Sequence, residues 1–507
     1  MNKNASEKAL PKPDSKTYLW VTGAVCFFAY LIIKEVQLPK ALILGMTAVA
    51  GMFLLFKGIK QPEIVTYALV AYMPFSRELA GDFLPALNFT NILMIFMIFV
   101  WVSGRYKEGE PLWLRTSLNL PVFLFLLIGF ISIARGSFYD ISSINGILID
   151  YKRWITPILF YFLVLNTVKD RGTIKNVSII MMIVTTVAAL MAIWTYIDQG
   201  EMGSLEKSRI GGICEQPNML AAFFNYYMFL VFGFFLLNMK KAKYWLLLIP
   251  FLLCFRGIMV TFSRGGYLAF ALGLFAITFF RNKILFMFLL LLGFFVYLNP
   301  TLLPSGIQYR MGQTVKSQGD YSETLKEEYN EGDLDASSQQ RVKIWRAGLQ
   351  MVQDNPIFGV GYGLFPIVIK YYLEVDRKWD AHNTYLIIAG EMGIPALVIF
   401  LWIILLIFLN TRKLYLTTKD PFAKALALGW LGGIFGLLLS NMFGSRLDSQ
   451  EVSSYLWILA ALIMRLRILD KREFAGQGAG DTGSETGNGA GGGTWKIGED
   501  GWQYVPS

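Results

Sequence analysis

"NVSIIMMIVTTVAALMAIWTYI", residues 176–197, is an apolar run without a single charged side chain. At 1.5 Å of rise per residue, a helix of this length spans about 33 Å, close to the hydrocarbon thickness of a bilayer. Lipid offers the backbone no hydrogen-bond partners, so the run must be helical if it enters a membrane. The stretch therefore predicts a transmembrane helix.

Similar runs recur throughout the chain of 507 residues, which is 55% hydrophobic, 15% aromatic and only 16% charged. A soluble chain of this length would divide into several domains with more charged surfaces. The fold class predicted here is an all-α polytopic membrane protein with about 12–14 transmembrane helices. The candidate spans are 17–33, 39–56, 63–75, 91–104, 118–134, 154–167, 176–197, 218–238, 244–262, 267–280, 284–299, 384–410, 422–442 and 451–466.

The spans divide the chain into five regions. A polar N-terminus (1–16) precedes a transmembrane bundle of about 11 spans (17–299). One large loop that is predicted to be partly helical (300–383) separates this bundle from the C-terminal transmembrane helices (384–466). The Gly-rich segment 474–507 has little capacity to form a core, and we predict a flexible tail.

Lys and Arg set the predicted orientation. They are concentrated in the N-terminus and in alternate connecting segments, which by the positive-inside rule places both termini in the cytoplasm and the large loop outside. The net charge of +10 is then explained by cytoplasmic segments beside anionic lipid, so membrane lipids rather than nucleic acid are the predicted partners. The three widely spaced cysteines suggest neither a disulfide framework nor a metal site, and we predict no cofactor.

Part of the large loop shows a helical pattern. In "SSQQRVKIWRAGLQMVQDNP" (337–356), Ser337 and Gln340 have capping-box spacing, and Asn355-Pro356 ends the segment. The predicted apolar face consists of Val342, Trp345, Leu349 and Val352. Arg341 in the first turn has two interpretations, a ligand for phosphate or an ordinary solvated side chain.

Three glycines follow this helix in "NPIFGVGYGLF" (355–365). A dinucleotide site with G-x-G-x-G would need a strand before it and a cytoplasmic location, and neither is predicted. We interpret the glycines as a tight turn with a close approach of two backbones.

Several arginines lie where spans meet the outer face. Arg209 precedes one span, Arg264 lies between two spans with almost no loop, and Arg153 begins another. Arg256 lies within a span, where a charge is costly, so we predict that it faces the bundle interior. Guanidinium groups pair bidentately with phosphate oxygens, which suggests a pyrophosphate on a lipid carrier as the bound anion.

Four segments together resemble the signature segments of the O-antigen ligase / O-antigen polymerase superfamily of bacterial envelope glycosyltransferases. They are "GGICEQPNMLAAF" (211–223), "TFSRGGYLAF" (261–270), "RVKIWRAGLQMVQDNPIFGVGYGLF" (341–365) and "HNTYLIIAGEMGIPAL" (382–397). The resemblance covers roughly residues 205–445. It implies a multi-pass protein of the bacterial inner membrane with its active site facing the periplasm.

The resemblance also implies a reaction and its residues. A glycan is transferred from undecaprenyl pyrophosphate to an acceptor hydroxyl, without metal or nucleotide. The acceptor is lipid A–core in ligases, a growing glycan in polymerases, and a protein side chain in O-oligosaccharyltransferases. Position by position, His382 is the expected catalytic residue, Arg209, Arg264 and Arg341 the expected diphosphate ligands, and Asn383, Tyr385 and Glu391 the expected supporting residues.

The residues leave two points open. On a continuous helix, nine residues of separation put Glu391 and His382 on opposite faces about 13.5 Å apart, so we do not expect a direct pair unless the chain breaks after His382. A transporter is the alternative from a different functional class, because many spans and an internal arginine also suit transport. Matching pairs of broken spans, which would favour transport, are not evident in the sequence.

Overall fold

The computed structural model describes residues 16–33, 56–58, 61–79, 89–109, 111–136, 144–200, 208–214, 216–302, 308, 336–373, 379–445, 447–481, 494–498 and 501–505. The α-helices within these residues are α1 Thr17–Ile33, α2 Pro62–Tyr72, α3 Phe89–Glu108, α4 Asn119–Gly136, α5 Ile144–Thr167, α6 Arg171–Gln199, α7 Pro217–Leu237, α8 Leu248–Val260, α9 Arg264–Arg281, α10 Lys283–Leu298, α11 Ala336–Asp354, α12 Phe365–Leu373, α13 Thr384–Thr417, α14 Pro421–Ser440 and α15 Gln450–Asp481. Short 3₁₀ turns occur at Met73–Phe75, Gly212–Cys214, Ala242–Leu247 and Pro300–Leu302.

The all-α polytopic architecture predicted from composition is confirmed. Eight helices of the described part are long and apolar enough to cross a membrane, and α1 and α10 provide shorter apolar stretches. Every predicted span other than 39–56 coincides with a helix, sometimes extended by a 3₁₀ turn. The span predicted at 39–56 falls almost entirely outside the described residues.

The core of the bundle is the contact between α7 and α14. Almost every side chain of α7 is buried, including Phe223, Tyr226 and Tyr227. Gly429 and Gly433 lie one turn apart on α14 and face α7: a Cβ added at Gly429 would lie 2.5 Å from the Phe229 carbonyl oxygen. Small residues at this spacing let two helix backbones approach closely, as is common between helices in membranes.

Helix α13 is two helices joined by a sharp break. Gly393 has φ 85° and ψ 169°, and Pro395 follows two residues later. On a straight helix, Tyr385 and Phe400 would be about 22 Å apart along the axis, but their ring centroids are only 6.2 Å apart. The arm Thr384–Met392 therefore folds back along the first turns of the long helix that begins after Gly393.

The predicted helix in the large loop exists, but its buried face was predicted only in part. Helix α11 begins at Ala336, one residue before the predicted Ser337 cap, and ends at Asp354. Leu349 is 55% exposed, which contradicts its predicted place on the apolar face. The buried positions are Ile344, Ala347, Gly348, Met351 and Val352. Gly348 and Met351 lie against the Thr384–Met392 arm of α13, and this contact, rather than side-chain hydrophobicity alone, decides which face is buried.

The C-terminal residues 467–507 form a second unit, separate from residues 1–466. Helix α15 continues to Asp481, and the strands β1 Thr494–Gly498 and β2 Gly501–Val505 pair in antiparallel register, with Trp495 opposite Tyr504 and Ile497 opposite Trp502. The segment 474–507, predicted as a flexible tail, thus contains secondary structure, because its aromatic and β-branched residues favour strands. Residues 482–493 lie outside the described part.

Candidate active site

The candidate site lies at the end of the bundle where α13 begins and α14 ends. The Thr384 amide donates to the Asn441 carbonyl oxygen (2.9 Å), and the Thr384 hydroxyl lies 2.7 Å from Asn441 Oδ1 and 3.0 Å from the Gly444 carbonyl oxygen. The Asn441 amide group in turn donates to the Tyr226 hydroxyl of α7 (2.7 Å). These buried bonds fix the segment 441–445, which we call the bridging loop, to both α7 and α13.

His382 precedes this junction and has an unusual backbone conformation, with φ 47°. Its Nδ1 atom lies 3.2 Å from Asp380 Oδ2, and its backbone amide donates to Asp380 Oδ1 (3.1 Å). A hydroxyl from the bridging loop, Ser445 Oγ, donates to the same Oδ1 (2.9 Å). The His382 side chain is 44% exposed, so the ring is accessible to a substrate.

Asp380 is an anion in this arrangement. Partial burial by itself raises the pKa of the Asp380 carboxyl. The hydrogen bonds from the side chain and backbone of His382, the electrostatic interaction with His382 and the bond from Ser445 outweigh it, and the pKa lies below its ordinary value. The carboxylate is therefore charged throughout the neutral pH range.

Arg264 lies at a tight turn between α8 and α9, as predicted from the nearly absent loop. Helix α8 ends at Val260 and α9 begins at Arg264, with Phe262 at φ 48° between them. Ser263 caps α9 by accepting from the Gly266 amide (3.2 Å). The first turn of a helix favours anions because its amides and macrodipole present positive charge. Arg264 adds a full charge at the same place.

Arg209 is brought to this turn from a distant part of the sequence. Its Nε donates to the Thr261 carbonyl oxygen (3.0 Å), and its Nη2 donates to Asn218 Oδ1 at the start of α7 (2.9 Å). The neighbouring Ile210 amide bonds to the Val260 carbonyl oxygen (3.2 Å). Arg209 and Arg264 thus both lie at the three-residue turn between α8 and α9.

The bridging loop connects the arginines to His382. A Cβ added at Gly265 would lie 3.0 Å from the Cβ of Phe443, so the start of α9 packs directly against this loop. Two residues after Phe443, Ser445 bonds to Asp380, which pairs with His382. The structure therefore gathers Arg209, Arg264 and His382 at one end of the bundle.

Arg341 approaches the same place from α11. The Trp345 indole Nε1 donates to the carbonyl oxygen of Ala381, the residue before His382 (2.8 Å). Arg341 lies one turn earlier, and residues four apart are neighbours on one helix face. Arg341 is half-buried, on the side of α11 that contacts the His382 segment.

The three expected supporting residues have structural partners. Asn383 caps α13 by accepting from the Leu386 amide (3.1 Å), and the Tyr385 hydroxyl donates to the Leu438 carbonyl oxygen of α14 (2.8 Å). The buried Glu391 accepts from the Phe365 amide (3.1 Å) and does not pair with His382. His382 lies before α13 begins, so the continuous helix assumed for its separation from Glu391 does not include it, and Glu391 has the Phe365 amide as its partner instead.

The glycines of 359–363 form the predicted close turn. Gly359, Gly361 and Gly363 all have positive φ (64°, 118° and 77°). The amides of Val360 and Gly361 donate to the Gly390 and Glu391 carbonyl oxygens (2.8 and 3.0 Å), and a Cβ at Gly359 would overlap the Glu391 backbone. This turn therefore supports the break in α13.

Arg256 and Arg153 do not line the site. Arg256 is exposed and stacks over the Tyr196 ring, 5.5 Å from its centroid, so the prediction that it faces the interior is wrong. Arg256 lies in the last turns of α8, where a long side chain can extend towards the end of the helix. The sequence alone placed this arginine too deep within the span. Arg153 is exposed and lies 3.8 Å from Asp150.

Sequence reasoning missed Asp380, Ser445 and Trp345. The spacing of Asp380 and His382 in "WDAHN" is typical of an Asp side chain that bonds to an amide two residues later, so a local signal existed for Asp380. Ser445 is 65 positions from its partner Asp380 along the chain, and no spacing pattern relates these two residues. Among the described residues, no group of three His, Cys, Asp or Glu side chains could hold a metal ion.

Comparison with known families agrees with the motifs. Residues 249–401 match the family model of the O-antigen ligase. This segment includes Arg264, Arg341 and His382, whereas Arg209 lies outside it. No curated protein matches the chain.

Proposed function

We propose that this chain, whose residues 249–401 match the family model of the O-antigen ligase, transfers a glycan from undecaprenyl pyrophosphate to an acceptor hydroxyl at the periplasmic face of the bacterial inner membrane. The acceptor that the resemblance favours is lipid A–core. The observation that carries the proposal is the bridging loop, which packs against Gly265, the residue after Arg264, and bonds through Asp380 to His382. A cationic site for the donor and a base for the acceptor thereby adjoin.

The proposed step is a direct displacement. The acceptor oxygen forms a bond to the anomeric carbon, its proton passes to His382, and the bond from that carbon to the diphosphate oxygen breaks. The electron pair leaves with the pyrophosphate, whose growing charge is stabilised by Arg209, Arg264 and Arg341. Fixed guanidinium groups do this without protonating the leaving group, so the step requires no metal.

The first test is substitution of the base and one donor ligand. His382→Ala and Arg264→Ala should each abolish transfer, because a general base alone contributes about 10²–10⁴-fold. Transfer is measured as glycan-capped lipid in membranes that contain equal amounts of each variant. Arg256→Ala is the matched control, since this arginine is exposed outside the site. Full activity of either site variant would refute the assignment.

A deletion strain identifies the acceptor. Loss of lipid A–core that carries the glycan, with full-length glycan retained on the carrier lipid, indicates a ligase. Accumulation of single repeat units on the carrier indicates a polymerase, and loss of glycan from a protein indicates an O-oligosaccharyltransferase. Unchanged glycans with altered solute uptake would contradict the proposal and favour transport.

A further inference from the structure

Both oxygens of the Asp380 carboxylate are engaged by the segment around His382. Oδ1 accepts from the His382 amide (3.1 Å) and from Ser445 Oγ (2.9 Å), and Oδ2 faces His382 Nδ1 at 3.2 Å. The carboxylate therefore fixes the backbone and the ring of the same histidine. Ser445 is buried and comes from the bridging loop, so the position of Asp380 depends on the same loop that packs against Gly265, the residue after Arg264.

We propose that Asp380 is a positioning residue that holds His382 with its proton on Nδ1, so that Nε2 is the nitrogen presented to the acceptor hydroxyl. The inference rests on the proposed function, because it assumes that His382 is the base. In a neutral imidazole one nitrogen is a donor and the other an acceptor, and the partner of the first nitrogen sets the role of the second. A carboxylate accepts only, so Nδ1 must donate to it.

The backbone of His382 supports the same conclusion. A φ of 47° is uncommon for residues other than glycine, although asparagine, aspartate and histidine adopt it more often than the rest, and it persists where the surroundings enforce it. The Asp380 carboxylate enforces it on one side, and the bond from Trp345 to the Ala381 carbonyl oxygen does so on the other. The ring is thereby held in one orientation before substrate binds.

The proton balance of the step also requires this carboxylate. When the acceptor proton reaches Nε2, the ring becomes an imidazolium that donates from both nitrogens. Asp380 stabilises that charge and does not itself take the proton, which passes to solvent after transfer. The other charged groups near this pair are Glu391 on α13, which interacts electrostatically with Asp380, and Arg341 on α11, one turn from Trp345.

The test is Asp380→Asn in the full-length protein in native membranes. The amide keeps an oxygen for the His382 amide and Ser445, but presents NH₂ to Nδ1, which favours a proton on Nε2 and removes the base. We expect kcat/KM to fall at least about tenfold. We also expect the acid limb of its pH profile to move to lower pH, because loss of a neighbouring anion disfavours the imidazolium.

The substrates for this assay are carrier-linked glycan and acceptor lipid, both extracted from a strain that lacks the protein. Asp150→Asn is the matched control, since Asp150 is exposed and paired with Arg153. Its kcat/KM and pH profile should equal those of the wild type.

The outcomes separate the inference from the proposed function. An unchanged rate and profile for Asp380→Asn, with His382→Ala inactive, would overturn the positioning role alone. Activity in both variants would overturn the proposed function. If Asp380→Asn does not reach the membrane, Ser445→Ala tests the inference instead, because it removes one hydrogen bond to Asp380. We expect kcat to fall with KM unchanged. An unaltered kcat would refute the inference.

Discussion

Backbone strain coincides with the candidate site at the scale of single residues. Among the described residues other than glycine, positive φ occurs at Phe262 and His382, at 48° and 47°. A left-handed conformation costs an L-residue about 1–2 kcal/mol, which the surrounding contacts must offset. Phe262 sits between the carbonyl bound by Arg209 and the start of α9, and His382 sits between Asp380 and the cap of α13. The contacts that offset this strain therefore hold in place both the turn before α9 and His382, the proposed base.

Replacing Arg209 by lysine should impair the enzyme although the charge is retained. The guanidinium donates in two directions, to the Thr261 carbonyl oxygen and to Asn218 Oδ1, and an ammonium group cannot reproduce this planar fork. We expect Arg209→Lys to raise KM for the carrier-linked donor about tenfold or more, equivalent to the loss of one charge-assisted bond. Steady-state transfer at varied donor concentration measures it.

Arg256→Lys is the control for this substitution, because Arg256 is exposed on α8 and contacts a tyrosine ring rather than the site. Its KM should equal that of the wild type. Equal KM values for wild type and Arg209→Lys would show that the charge alone matters and that the fork does not.

At this scale the sequence predicts which residues carry the chemistry but not how they are paired. His382 and the arginines are identifiable because their residue types suit the reaction and lie at span boundaries. The spacing of Asp380 and His382 indicates the bond to the backbone amide, whereas the pairing of the ring with the carboxylate is visible only in the structure. Helical spacing assumed a continuous helix from His382 to Glu391, but α13 begins only at Thr384.

At the scale of elements, the break in α13 determines where His382 lies. An unbroken helix from Thr384 would carry the residues after it straight into the bundle. The turn at Gly393 instead folds the Thr384–Met392 arm back, so that Tyr385 lies beside Phe400 and Thr384 reaches the end of α14. The Gly393 and Pro395 pair was a signal in the sequence, but the apolar run across it indicated one continuous span.

Gly393→Ala should destabilise the protein and reduce transfer. Alanine at φ 85° is strained, and its Cβ would overlap the Ile357 carbonyl oxygen, so the free energy of unfolding should fall by more than about 1 kcal/mol. Because the arm that carries His382 must shift, activity should fall as well. Thermal unfolding in detergent and the transfer assay provide the two measurements.

Gly146→Ala on α5 is the matched control, because a Cβ there would meet no atom within 4 Å. It should leave the melting temperature and the activity unchanged or raise the former slightly. A Gly393→Ala protein as stable and active as this control would mean that the break tolerates a side chain.

At the scale of the whole molecule, hydrophobic runs predict helices well, whereas contacts between distant segments are not visible in them. Thirteen of the fourteen predicted spans coincide with helices, since each run is long and nearly free of charge. The same runs contain no information on which helices meet at the site. The contact of Gly265 with Phe443 and the bond from Ser445 to Asp380 arise from packing of α9 and α14 around α7.

Orientation in the membrane is the property of the whole molecule that the distribution of Lys and Arg predicts. Helix α7 runs from Asn218 beside Arg209 to Lys240 and Lys241 just beyond its far end, and its 21 residues span about 31 Å. The site and these lysines are therefore at opposite ends of α7. We predict that the site side, with the exposed Leu349 of α11, faces the periplasm.

Single-cysteine labelling tests this orientation. Cys214 and Cys254 are buried, and replacing Cys26, Cys214 and Cys254 by serine provides the background for Leu349→Cys and for Lys240→Cys. In cells with a permeabilised outer envelope but an intact inner membrane, a membrane-impermeant maleimide should label Leu349→Cys at once. It should label Lys240→Cys only after the inner membrane is disrupted, because that residue is expected to face the cytoplasm. The reverse order of labelling would place the site in the cytoplasm, where a glycan presented at the periplasmic face could not reach His382.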